Sequence, residues 1–512
     1  MVTVYLLLLT FIVATIGLLI FIKRCRNYWT KKGVIPHVEP VPLFGNTLPM
    51  MFKQTLSAPE FINQIYNLFP TARYTGLMQF QTPVIVLRDP ELLKEICIKD
   101  FDNFPDHGNF FPEDADPLFE KNLFILRGNR WKGMRNTLSP TFTASKMKFM
   151  FTLISKSSQN FVDYFLEKEE ETFCIEMKDI FTRYTNDVIA TAAFGITVNS
   201  LKDRDNEFYL KGKDATNFNS FFRGIKFVAL RYCTSIMKLL GAKVMSRSAT
   251  KFFQTIIQET VKVRNEKNII RPDMIHLLMD ASRNENGVEV TIDDIIAHSI
   301  VFFLAGFTTS AIVMEFAAHE LAVNPDIQEK LRKEVDHFMK EEGGEISYDT
   351  ISKMKYLDMV ISETLRKYPP NSIMDRLCVK KYTLPKATPN SKEYTIEPNC
   401  LIWLPIYALH HDEKYFPDPE KFDPERFSEE NKDKINPYAY IPFGLGPRKC
   451  IGNRFALMEI KVLFVHLLQN FILVRDERTK HPIEFEKGFV VAAEGQFWIK
   501  LKKRNPDNKN VI

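Results

Sequence analysis

None of the seven cysteines of this 512-residue chain, at positions 25, 97, 174, 233, 378, 400 and 450, is spaced as CxxC. That excludes a zinc ribbon and a thioredoxin-like redox site, and an odd, scattered set of thiols fits a reducing compartment. No Asn-x-Ser/Thr sequon occurs, in keeping with the cytosolic side of a membrane. Repeats, low-complexity tracts and Gly/Ser-rich linkers are missing between residues 45 and 500, so the length does not divide into the several domains it would otherwise suggest. A GxGxxG loop is also absent, which leaves the chain without a nucleotide-binding segment of its own. Charge of one sign is lacking: 68 Lys+Arg against 63 Asp+Glu give +5, too little to argue for nucleic acid. What is plentiful is phenylalanine, 43 residues in a chain that is 45% hydrophobic, enough for a thick core or for apolar cavities.

From Val4 to Ile22 the sequence VYLLLLTFIVATIGLLIFI carries no charge. Its nineteen residues reach roughly 28 Å as a helix, close to the thickness of a hydrocarbon core, which predicts a transmembrane anchor over residues 1–22. Lys23, Arg24, Arg26, Lys31 and Lys32 follow at once and hold the downstream side in the cytosol. A basic, proline-rich linker is expected over 23–45, with Pro36, Pro40 and Pro42 leading into Gly45. Residues 46–505 form one large globule and 506–512 a polar tail. Within the globule, β-branched and aromatic residues between 71 and 88 read as strands. Most of the rest has helical spacing. A long helix is predicted from the capping pair Thr291 and Asp294 to Asn324-Pro325; another ends at Tyr368 before Pro369-Pro370, and a last one begins near Asn453. The fold expected is mainly α with a small β portion.

The chemistry concentrates in FGLGPRKCIG, residues 443–452. Gly444, Gly446 and Gly452 permit a tight loop, and the helix start that follows offers free N–H groups and positive dipole potential to the Cys450 sulfur. Such a setting favours thiolate and suits a metal taking a single sulfur ligand, which points to haem iron.

With Phe443, Gly444, Gly446, Arg448, Cys450 and Gly452 in place, the sequence resembles the cytochrome P450 superfamily, whose FxxGxRxCxG signature it matches at each fixed position. Glu363-Thr364-Leu365-Arg366 supplies ExxR and Pro424-Glu425-Arg426-Phe427 follows about 60 residues on; the resemblance implies a buried charge network of Glu363, Arg366 and Arg426 beneath the haem. It also implies Cys450 as the axial iron ligand. Trp131 and Arg135 match WxxxR, and with Arg376 and Arg448 they are expected to bind the haem propionates, as guanidinium forks suit carboxylates. His107 stands where related sequences often carry Arg. Ala305-Gly306-Phe307-Thr308-Thr309-Ser310 resembles the oxygen-binding motif: small Ala305 and Gly306 leave room for dioxygen in a kinked helix, and Thr309 relays protons to it. Thr308 departs from the pattern, which has Asp or Glu there.

The resemblance implies a monooxygenase that uses haem b and dioxygen and takes electrons from NADPH through cytochrome P450 reductase, with cytochrome b5 as a second donor. It further implies attachment to the endoplasmic reticulum with the catalytic domain on the cytoplasmic side, and lipophilic small molecules as substrates. PTFTASKMK after WxxxR is most similar to the xenobiotic-handling group common in insects. A haem-thiolate isomerase or dehydratase, prompted by Thr308, and a membrane-tethered haem- or ligand-binding protein are the alternatives. Expected pocket walls are Phe110 and Phe111, Phe218 with Phe221 and Phe222, Phe302, Phe303, Ile373, Val490 and Val491. Arg127, Arg130, Lys132, Arg135, Lys146 and Lys148, unbroken by an acid, together with Lys449 predict a positive face for an acidic electron donor.

Overall fold

The computed structural model describes residues 35–42, 44–51, 54–108, 116–216, 233–271, 273–282 and 290–504, with scattered positions before residue 30 and between 225 and 230. The expected anchor lies largely outside the described residues. Those of it that are described are helical, and Tyr5, Leu9, Val13, Ile16 and Ile20 among them are exposed.

Helices dominate. In chain order they include α1 (Ala58–Asn67), α2 (Gly128–Leu138), α3 (Ala144–Leu166), α4 (Met177–Ile189), α5 (Glu207–Thr216), α6 (Arg247–Lys267), α7 (Met274–Ser282), α8 (Ile292–Val323), α9 (Pro325–Glu341), α10 (Lys355–Lys367), α11 (Ile406–His410) and α12 (Asn453–Asn470). A four-stranded sheet has β1 (Tyr74–Gln79) antiparallel to β2 (Thr82–Leu87), with its tight turn on Phe80 and Gln81. Strand β7 (Leu401–Leu404) runs parallel to β2 and antiparallel to β4 (Met374–Leu377). Smaller sheets join β3 (Thr172–Glu176), β9 (Trp498–Lys503) and β8 (Phe471–Arg475), and pair β5 (Tyr382–Leu384) with β6 (Tyr394–Ile396).

The long helix α8 sets the frame. Thr291 and Asp294 form the expected capping box, the Thr291 Oγ1 accepting from the Asp294 N–H and the Asp294 carboxylate from the Thr291 N–H. Its 32 residues are α-helical throughout. At about 1.5 Å per residue it spans roughly 48 Å and crosses the whole globule. By length and hydropathy it could span a bilayer, yet 61% of its most apolar window is buried in protein, and it carries buried Asp294, His298, Glu315, His319 and Glu320.

Two cores flank the site. One gathers the helices around α8, the other packs α1 against the four-stranded sheet. Much of the phenylalanine excess is spent in the first. Phe194, Phe208, Phe253, Phe303 and Phe307 form a cluster of edge-on and tilted rings, with Phe303 4.7 Å from Phe253 and 5.1 Å from Phe307. Phe303 is completely buried there and therefore lines no pocket; the expectation for it is corrected.

Candidate haem-thiolate site

The loop before α12 is shaped by glycine. Gly444 (φ 78°) and Gly446 (φ 72°) both adopt left-handed backbone, and a Cβ on Gly446 would stand 1.9 Å from the Cys97 carbonyl oxygen. Gly446→Ala should therefore cost about 3 to 4 kcal/mol from strain and overpacking together, read as a lower denaturant midpoint; an unchanged midpoint contradicts the close approach. The Cys450 N–H donates to Phe443 O at 2.9 Å, and α12 begins three residues beyond the thiol. Burial raises the Cys450 pKa, while the Gly452 N–H, Arg135 and Lys449 pull it down. The thiol is nonetheless accessible. Protein groups surround the sulfur, which still keeps accessible surface.

Helix α8 supplies a second accessible wall. It is buried from Asp294 to Ile300 and again from Ser310 to Leu321, whereas Val301, Phe302, Ala305, Thr308 and Thr309 between them present accessible surface. Phe142 connects the two walls, its ring 5.8 Å from that of Phe302 and 4.0 Å from where a Cβ on Gly452 would lie. Thr309 Oγ1 donates to Ala305 O at 2.5 Å, and Thr185 Oγ1 of α4 donates to Phe307 O at 2.7 Å. Gly306 has another task than making room: an added Cβ would meet Ile189 Cδ1 at 2.6 Å, so its smallness lets α8 sit close against α4.

The arginines around the Cys450 loop differ in how much donor capacity remains. Arg448 donates from Nε to Pro105 O (2.6 Å), from Nη2 to Asp106 Oδ1 (2.9 Å) and Leu126 O (2.8 Å), and from Nη1 to Leu123 O (3.5 Å), and it lies 3.9 Å over the Trp131 ring. Little is left for another carboxylate. Fully buried Arg376 donates to Asp375 O and Leu445 O, and its Nε has no partner. Arg135 donates to Lys449 O at 2.8 Å beside the thiol. His107 is held by Asp375, Nδ1 to Oδ1 2.9 Å, and stacked on Phe124. An accessible thiol, an unpartnered guanidinium N–H, half-buried Arg135 and buried Trp131 make a donor set that fits a flat, carboxylate-bearing haem.

Beneath the loop, Arg366 and Glu363 of α10 are fully buried and paired twice, Nε to Oε2 at 2.7 Å and Nη2 to Oε1 at 2.8 Å. Arg366 also donates to His410 O and Pro419 O. Arg426 Nε stands 3.4 Å from Glu363 Oε1, an ion pair too poorly aligned for a hydrogen bond; Nη2 instead holds Asp418 O at 2.7 Å. The network is thus a tight pair with a looser third member.

The chain belongs to the cytochrome P450 family. Residues 36–499 match its family model. Cytochrome P450 9e2 of Blattella germanica is 46% identical over 526 aligned residues, covering 97% of this chain and 98% of that protein. Probable cytochrome P450 9f2 and cytochrome P450 9c1, both of Drosophila melanogaster, are 40% and 39% identical over 94% and 97% of this chain, and the matches cover 96% and 99% of those proteins. This P450 is accordingly a monooxygenase of the oxidoreductase class, and the family implies haem.

Of the expected pocket walls, Phe110, Phe111, Phe218, Phe221 and Phe222 lie outside the described residues. Phe302, Ile373 and Val490 are half-buried, whereas Val491 is 1% exposed and belongs to the core, a second correction. The basic face is weaker than its sequence: Arg130 pairs with Asp294 and Lys148 with Asp349, acids distant in the chain.

Sequence reading missed Glu459. This α12 carboxyl is wholly buried, no aligned hydrogen bond reaches either oxygen, and burial pushes its pKa up to about 8 with only the Ser310 hydroxyl opposing. An acid amid apolar neighbours one turn away, Phe455, Ala456, Val462 and Leu463, was the available signal. Because the folded carboxyl keeps a proton that the unfolded chain releases, stability must fall as pH rises from about 4.5 toward 8, by at most about 1.4 kcal/mol per unit. Glu459→Gln should flatten that slope in denaturant titrations; an unaltered slope means the carboxyl ionises freely.

Proposed function

We propose that this P450 inserts one atom of dioxygen into lipophilic small molecules, drawing electrons from NADPH through a flavoprotein reductase while tethered by residues 1–22 to the endoplasmic reticulum, with the globule in the cytoplasm. The accessible Cys450 thiol and the accessible, hydroxyl-bearing stretch of α8, joined through Phe142 at Gly452 and Phe302, carry the reading. Haem bound between them would supply dioxygen activation and its electron-rich thiolate push. Cys450 is the ligand in this assignment, with Arg376, Arg135 and Trp131 holding the propionate edge.

The chain's own groups do the rest. Ala305 keeps the wall low, and Thr308 and Thr309 offer hydroxyls that pass protons without ionising. With Thr308 in place of an acid, the buried carboxyl next in line is Glu459 against Ser310. Phe302, Ile373 and Val490 give an apolar lining that excludes water and accepts lipophilic ligands.

The test is turnover with reductase, NADPH and a panel of lipophilic compounds, followed by mass. Oxygenated product in proportion to NADPH consumed is expected. Rearrangement of a hydroperoxide without NADPH, with no oxygenation in its presence, would overturn the proposal in favour of an isomerase or dehydratase.

A further inference from the structure

Between the Arg366–Glu363 pair and the Cys450 loop lies one side chain that touches both. His410, the last residue of α11, is completely buried. Its Nδ1 is 3.1 Å from the Arg366 carbonyl oxygen, and its Nε2 is 3.0 Å from the Ile441 backbone nitrogen. A carbonyl can only accept and an amide N–H can only donate, so the neighbours decide the tautomer: Nδ1 carries the hydrogen and Nε2 is the bare acceptor. Protonating the ring would set a second N–H against the Ile441 N–H.

From Ile441 the connection continues in backbone. Its carbonyl accepts from the Gly444 N–H at 2.9 Å, and the Phe443 carbonyl in that turn accepts from the Cys450 N–H at 2.9 Å. The ring is clamped from its faces and edges too. Tyr440 stacks on it at 5.4 Å and ties its own hydroxyl to Ser362 O of α10, while Phe416 meets it edge-on at 6.1 Å. Arg366 Nη1 returns to His410 O at 3.0 Å, closing a two-way grip between α10 and α11.

We propose that His410 is a positioning residue: its fixed neutral imidazole bridges Arg366 O to the Ile441 N–H and so transmits the placement of the buried Arg366–Glu363 pair to the loop that presents the Cys450 sulfur. The inference rests on Cys450 being the haem ligand. Few side chains can replace it. The bridge needs one donor and one acceptor on opposite edges of a rigid group, in a space too dry for water to substitute. Phe fills the volume and makes neither bond. Gln keeps a donor and an acceptor on one flat amide, at the cost of an extra rotatable bond.

The experiment compares His410→Phe and His410→Gln with the parent holoenzyme. One readout is the ferrous carbon monoxide spectrum, in which a thiolate ligand gives a red-shifted Soret band and a displaced or protonated sulfur does not. The other is amide hydrogen exchange over residues 439–451. The Phe variant should shift the ratio of red-shifted to unshifted complex by roughly ten-fold toward the unshifted form, the scale expected when a buried N–H and C=O lose their partners, and it should speed exchange at Ile441 by a similar factor. The Gln variant should regain most of both.

A Phe variant with the parent's spectrum and exchange overturns the proposal, as does a Gln variant no better than Phe, which would mean packing alone. If the parent itself lacks the red-shifted band, the Cys450 assignment falls, and the exchange comparison still decides whether the bridge holds the loop.

Discussion

Cys450→Ala should abolish the red-shifted Soret band of the ferrous carbon monoxide complex and all NADPH-supported turnover. The sulfur is the one candidate side-chain ligand in the loop: Phe443, Gly444 and Gly446 shape the turn, Arg448 points away into carbonyls at Pro105, Leu123 and Leu126, and the Cys450 N–H is fixed to Phe443 O. Alanine keeps all of this backbone and removes only the sulfur. The fold should therefore survive, with a far-ultraviolet circular dichroism spectrum like the parent's, while the band disappears. Among the described residues no group of three or more His, Cys, Asp or Glu could hold a metal instead. Persistence of the band refutes the ligand assignment outright.

Arg366→Leu has the second large effect, and it acts on folding. Removing the guanidinium strands the Glu363 carboxylate in a site with no access to water, and it releases His410 O and Pro419 O as well. Breaking a buried pair from one side costs about 3 to 5 kcal/mol, a large part of the stability of an ordinary domain. The expected observation is a several-fold drop in haem bound per protein chain at purification. Arg366→Lys should rescue little, because a single ammonium cannot grip both Glu363 oxygens and two carbonyls at once. Arg426→Leu should be milder, since its contact with Glu363 is long and badly aligned. Equal losses for Arg366→Leu and Arg426→Leu would show that the three act as one unit.

The parts of the site that could be read from sequence are those whose physics is local. A glycine-rich turn before a helix start, a capping box three residues wide and a carboxylate one helical turn from a guanidinium each declare themselves within a few positions. What escaped depends on partners from elsewhere in the chain. Phe302 and Phe303 are adjacent, and which of them keeps accessible surface is decided by the rotation of α8 against Phe253 and Phe142. Gly306 looked like space for a ligand because Ile189, which claims that space, lies on another helix. The run of basic residues after Arg127 overstated the positive face because Asp294 and Asp349 arrive only on folding. His410 and Glu459 carry no motif of their own, and burial alone makes them consequential.

The grip of Arg448 also bears on how this molecule can change. One guanidinium holds the carbonyls of Pro105, Leu123 and Leu126 and the carboxylate of Asp106 while resting on Trp131. The chain leaving Asp106 and the chain arriving at Leu123 are thereby pinned to the same residue, two positions before Cys450. Substitutions between those pins that spare the Arg448 contacts should leave the fastening, and with it the backbone leading to Cys450, in place.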